Sequence, residues 1–190
     1  MKARLPLILL AVLLVVFRLL GAAFPDHLPN FQPLPALLLC SLVFLDGRLR
    51  WMLPAGVWLI SDPLVSLIQG YPLLGWHQVA MLPAIAAVIV LAYWLRRKPG
   101  NLQLLAGSTV AALAFYFLAN TVSFLVLPLY SKTMEGFVQA QWTGPAGFAP
   151  TWLFLRNALF SNLLFTGLVL AAGCRVPALA GARKVAGHTA

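Results

Sequence analysis

Acidic residues are scarce in this 190-residue chain: four Asp and Glu stand against 13 Lys and Arg. Charged residues of both signs make up 9% of the sequence, where soluble domains carry about a quarter. Cysteine is nearly missing. Cys40 and Cys174 are too few for a disulfide framework or a Cys-based zinc site. Three histidines, one of them His188 near the C-terminus, argue against a His-rich metal centre. No HExxH, GxSxG or P-loop pattern occurs, so the chain reads as a non-enzyme. With no ATP-binding apparatus, any ATP-driven step needs another chain. The polar, low-hydrophobicity composition of a disordered protein is also lacking.

What is present is apolar surface. Hydrophobic residues make up 62%, and the mean hydropathy is +0.91. A 20.6 kDa chain cannot hide that much in a soluble core, because small domains keep a large share of their surface in water. The expected solvent is lipid. The net charge of +9 then reads as a set of topology signals rather than as a nucleic-acid surface.

A helix needs roughly 20 apolar residues to cross the hydrocarbon core. Six candidate spans appear, at 5–23, 34–45, 51–69, 76–95, 102–127 and 151–172. The second is short and is either tilted inside the bundle or only partly spanning, since short apolar runs are also re-entrant or buried helices. Pro25, Pro29, Pro33 and Pro35 fill the first connection, and Asp46-Gly47-Arg48 is a tight turn. The third connection, 70–75, carries Pro72, and Arg96-Arg97-Lys98-Pro99-Gly100 stops the fourth span. The fifth connection, 128–150, is long enough to be functional or mobile. It holds Gly136, Gly144 and Gly147, with Trp142 and Phe148 for apolar contact, and is expected to act as a lid.

Lys2, Arg4, Arg48, Arg50, Arg96, Arg97, Lys98, Arg175, Arg183 and Lys184 all fall on one side of this layout. Positive-inside places both termini in the cytoplasm of a bacterial inner membrane. Arg18 interrupts the first apolar run, which favours a retained span over a cleavable signal peptide. Residues 1–173 form the membrane domain, and 174–190 form a basic tail expected to be disordered.

Ionisable residues within spans are functional hypotheses by default. Asp62, Ser66 and Gln69 share one helical face, as do Tyr116, Asn120 and Ser123. Arg156, Asn157 and Ser161 cluster on the last span, with Asn162 further round. These faces lie in the outer halves and suggest an outward-facing cavity. Interhelical hydrogen bonding is the plainer alternative. Asp62 and Arg156 are expected to interact, directly or through a ligand, because a lone buried charge is costly. Arg18 either snorkels to the interface or caps the cavity. His77, beside Trp76, is an interfacial residue or a ligand to substrate or metal. Cys40 reads as a packing residue.

Phe17-Arg18-Leu19-Leu20, Pro29-Asn30-Phe31-Gln32-Pro33-Leu34 and a hairpin ending in Asp46-Gly47-Arg48 resemble a family of small six-span bacterial proteins. That family is regarded as similar to the substrate-binding S components of energy-coupling-factor (ECF) vitamin transporters. Ile60-Ser61-Asp62-Pro63 and the last-span stretches Phe154-Leu155-Arg156-Asn157-Ala158-Leu159 and Asn162-Leu163-Leu164-Phe165-Thr166 fit as well. The resemblance covers residues 15–172. It implies an S-component-like bundle with a vitamin or metal ion in an outward cavity capped by the first, third and fifth connections. Most S components dock on a shared membrane subunit through Ala-x-x-x-Ala in span one. Span one here lacks that pattern, and the nearest small pair is Ala80 and Ala84 in span four. The departure is similar to the solitary cobalamin transporters of the same fold, in which an outer side chain can ligate cobalt. His77 is the corresponding candidate ligand for the cobalt of a corrin.

The expectation is therefore an all-α polytopic membrane protein of six transmembrane helices that takes up a small nutrient. A vitamin is favoured, and cobalamin is one candidate ligand. Asp62, Ser66, His77, Tyr116, Asn120, Arg156 and Asn157 are the candidate substrate-binding residues. The expected partners are the lipid bilayer, a small-molecule substrate and an ECF module if one docks, with no nucleic acid. A non-transporting scaffold or assembly protein is the first rival. An enzyme of envelope metabolism is the second.

Overall fold

The computed structural model describes residues 4–24, 31, 33–70, 72–97 and 100–172; the side chains of 4–7, 10 and 77 lie outside that description. The basic tail and most of the proline-rich first connection are likewise outside it. Among the described residues there are seven helices and no strand. They are α1 (Arg4–Ala23), α2 (Leu34–Phe44), α3 (Leu49–Gln69), α4 (Trp76–Arg97), α5 (Asn101–Val126), α6 (Met134–Gln141) and α7 (Thr151–Ala171). Helices α3, α4, α5 and α7 are long and apolar enough to cross a membrane by length and composition.

Helix α2 is different. Its eleven residues rise about 16 Å, roughly half a hydrocarbon core, and every one of them is buried. Its sequence, Leu-Pro-Ala-Leu-Leu-Leu-Cys-Ser-Leu-Val-Phe, has no polar face to turn toward solvent, as befits a helix enclosed by others. Helices α4, α5, α7, α1 and α3 pack around it in that order. The ring does not close, because α3 and α4 make no close backbone approach among the described residues and are joined through α2 between them. Segment 34–45 is thus a central buried post rather than a lipid-facing span. Cys40 sits in this post, buried, as a packing residue.

The ring helices meet through small residues. Ala80, Ala84, Val88 and Ala92 form the buried stripe of α4, and Gly107, Ser108, Ala111 and Ala112 form that of α5. A Cβ on Gly107 would overlap the Leu95 side chain, so glycine sets how closely these two helices approach. The Ala80–Ala84 pair therefore faces the bundle interior and offers no surface to another subunit. Leu59, Ile60, Leu67, Val90 and Leu102 face outward and are well exposed, as a lipid-facing surface requires. Aromatic rings close the junction of α1, α7 and the entry to α2. Phe31 lies 5.3 Å from Phe17 and 6.1 Å from Phe160.

The two ends of the bundle differ. The basic end carries the Asp46–Arg50 turn and the last turn of α4, linked by an Arg96–Asp46 ion pair of 3.1 Å. The far end carries the third and fifth connections. Helix α3 stops there at Gly70, whose φ of +70° lets its N–H bond back to Ser66 O. The fifth connection folds into α6. Thr133 caps it by accepting from Gly136 N–H at 3.2 Å.

Candidate functional site

The chemistry of the membrane-depth region gathers at Asp62. Arg18 on α1 lies 14 residues from the basic end of its helix, and Asp62 lies 13 residues from the start of α3. Both therefore sit about 20 Å toward the far end. Adjacent packing of α1 and α3 lets them meet. Arg18 Nη2 lies 3.1 Å from Asp62 Oδ1, with the two side chains 5% and 12% exposed. The other fork nitrogen, Nη1, donates to Ser61 Oγ at 3.0 Å, and Ser61 donates on to Val57 O at 2.6 Å. Pro63 follows directly, so α3 carries a proline at the site. The second carboxylate oxygen accepts from Gln78 Nε2 of α4 at 2.9 Å. Gln78 also accepts from Gly75 N–H at 2.6 Å and donates to Leu73 O at 3.0 Å. One amide side chain thus fastens the third connection to the buried carboxylate across the α3–α4 seam.

Of the expected Asp62–Arg156 interaction, the direct contact is not formed: Asp62 meets Arg18 instead. Arg156 lies 15 residues from the end of α7, at nearly the same depth as Arg18, but α7 is not a neighbour of α3. The Arg156 side chain is exposed. It donates from Nε to Asn157 Oδ1 at 3.3 Å, and its guanidinium lies 5.8 Å from the Trp152 ring centre. Asn157 itself is buried. Ser66 is buried one turn beyond Asp62 and belongs to the same α3 face. Tyr116 is buried, and its hydroxyl donates to Gln141 O, so it holds α6 against α5. Asn120 is half-buried one turn further along α5. The side chain of His77 lies outside the described residues, and so does the test of its role as a ligand.

The expected lid is a docked element. Gln141 Nε2 donates to Thr121 Oγ1 at 3.1 Å, and Lys132 Nζ donates to Leu127 O at 2.8 Å and to Phe124 O. Trp152 N–H reaches Trp142 O at 2.9 Å. The three glycines have structural duties as well. A Cβ on Gly136 would overlap Ser131, while Gly144 and Gly147 hold φ of +73° and +86° in the turns after α6.

The polar residues of α5 and α7 nearer the basic end form a separate ladder. Thr166 donates to Ser108 Oγ at 2.8 Å, and Ser108 donates to Asn162 O at 3.1 Å. This is the interhelical bonding that holds membrane helices together. Sequence reasoning left out Ser61 and Gln78 as site residues and left Arg18 without a partner. Equal depth of Arg18 and Asp62 was the available signal. Among the described residues no three His, Cys, Asp or Glu side chains converge, and the groups described at the site include one carboxylate, one guanidinium, one hydroxyl and one amide.

No curated protein and no solved structure matches the chain. A family match spans residues 1–179, which includes every element described above, and the chain belongs to that family of unknown function, DUF6580.

Proposed function

We propose that this protein binds a small polar nutrient in the far half of its bundle and serves in its uptake, in the manner of the ECF S components it resembles. The far end faces outside, and both termini lie in the cytoplasm of a bacterial inner membrane. The single observation that carries the reading is the Arg18–Ser61–Asp62–Gln78 network. Charges at membrane depth are costly and are held where substrate pathways need them. Here the pair is tied by one amide to a connection at the bundle end, so a solute donating to Asp62 would replace Gln78 and release residues 73–75. Vitamins, cobalamin among them, have polar groups that such a site could hold.

The experiment is a thermal-shift and native mass spectrometry screen of the purified protein against a vitamin panel. At least one compound should raise the melting temperature. Asp62→Asn should abolish that shift, and Asp46→Asn at the basic end should keep it. A folded protein that binds nothing in the panel and carries nothing from the cell overturns the reading. A cysteine at exposed Thr143 should react with an impermeant maleimide from outside the cell. Labelling only after lysis reverses the orientation.

A scaffold role is favoured by one feature: Arg18 and Asp62 satisfy each other without any ligand. On that reading Asp62→Asn lowers stability in every condition, and no compound shifts the wild type.

A further inference from the structure

We propose that the basic end carries a site for the phosphate of an anionic phospholipid, between the α2–α3 turn and the last turn of α4. The Arg96–Asp46 pair brings together the two segments that carry Arg48, Arg50, Arg96 and Arg97. Asp46 is the only carboxylate among the described residues of this end, and it neutralises one arginine of four. Arg48 and Arg97 are exposed. The Nε–H of Arg50 is buried and has no hydrogen-bond partner among the described residues. A buried donor without an acceptor is costly, and a phosphate oxygen supplies the acceptor.

Two further features point to the same ligand. The N-terminus of α3 has no side-chain cap, so the positive end of its dipole faces the turn without a side-chain acceptor. The Arg50 guanidinium lies 5.7 Å from the ring centre of Trp51, which is exposed at the level where aromatic residues meet headgroups. The surroundings select a lipid over a soluble anion. Exposed Met52 and Trp94 continue directly from the arginines onto the lipid-facing surfaces of α3 and α4. These two helices do not pack against each other, so acyl chains can follow the seam while the headgroup sits on the arginines. Basic pockets between membrane helices bind anionic headgroups in this way. A charge that only sets topology needs no such convergence.

The test is native mass spectrometry of the full chain in detergent, titrated with dioleoyl-phosphatidylglycerol and separately with dioleoyl-phosphatidylcholine. The anionic lipid should bind roughly tenfold more tightly or better, and Arg48→Gln should weaken it about fivefold. Arg50→Gln should act likewise. If that variant fails to fold, exposed Arg48 carries the test. Asp46→Asn should strengthen binding by freeing Arg96, and Lys132→Gln at the far end should leave it unchanged. Equal binding of the two lipids overturns the proposal. So does an unaffected Arg48→Gln, or an equal loss in Lys132→Gln, which would reflect bulk charge. Complete displacement of the phosphatidylglycerol by millimolar inorganic phosphate would make the site one for a free anion and would overturn the lipid assignment.

Discussion

Two ion pairs with the same separation mark opposite fates for charge in this bundle. Arg18–Asp62 and Arg96–Asp46 both measure 3.1 Å. The first is enclosed, with side chains 5% and 12% exposed, and the second is open, at 24% and 85%. Distance alone therefore says nothing about what either pair contributes. The enclosed pair excludes water, so each charge depends on the other and on Ser61 and Gln78. The open pair is screened, and Asp46 keeps most of its hydration. The comparison teaches that solvent access, not geometry, separates a structural charge from a surface one.

The sharpest way to break the comparison is to remove one enclosed partner. Arg18→Ala takes the guanidinium away from the enclosed Asp62 carboxylate and should cost about 3–5 kcal/mol in thermal or denaturant unfolding of the purified protein. A loss below about 1 kcal/mol would mean that water reaches the pair. Replacing both partners, Arg18→Met with Asp62→Leu, should restore much of that stability, because apolar groups of similar size leave no charge unpaired. The cycle of single and double variants then reads the coupling between the two residues directly. Gln78→Ala comes next, at about 1.5–3 kcal/mol, since it removes a hydrogen bond to a charged acceptor. Its effect should also appear as faster proteolysis or hydrogen exchange across residues 72–76, the connection that it fastens. The smallest effect belongs to the open pair. Asp46→Ala should change stability by about 0–1 kcal/mol, and by less at high salt. A larger loss would place that pair in the same class as the enclosed one.

Much of this fold is legible in the sequence, and the failures share one cause. The boundaries of α3, α4, α5 and α7 follow from apolar length and from the breaks at Gly70, Arg96–Gly100 and Pro150. The short run 34–45 shows that the second segment is unusual. Its lack of a polar face is consistent with enclosure, but nothing in that run says which helices would surround it. The same holds for the partners of Asp62. Counted along their helices, Arg18 and Arg156 lie at nearly the same depth, so both were eligible. The choice came from α1 packing beside α3 while α7 does not. Gln78 was invisible for a further reason. It begins a helix that does not touch α3 along the backbone and reaches Asp62 only through its side chain. In the fifth connection the glycines predicted motion from composition. Gly136 has a packing reason, a backbone oxygen of Ser131 where a Cβ would sit, and Gly144 and Gly147 have a conformational one, a left-handed φ.

The sequence by itself determined the helical class, the apolar character and ends of the segments, and the position of each charge along its helix. These depend on composition and on a fixed rise per residue, which are properties of a chain read in one dimension. Only the tertiary structure decided which helix is enclosed, which helices are neighbours, and so which charge meets which. Lateral order in a bundle depends on how small-residue stripes such as Ala80–Ala92 and Gly107–Ala112 fit against particular partners, and that fit is a relation between segments that neither segment carries alone.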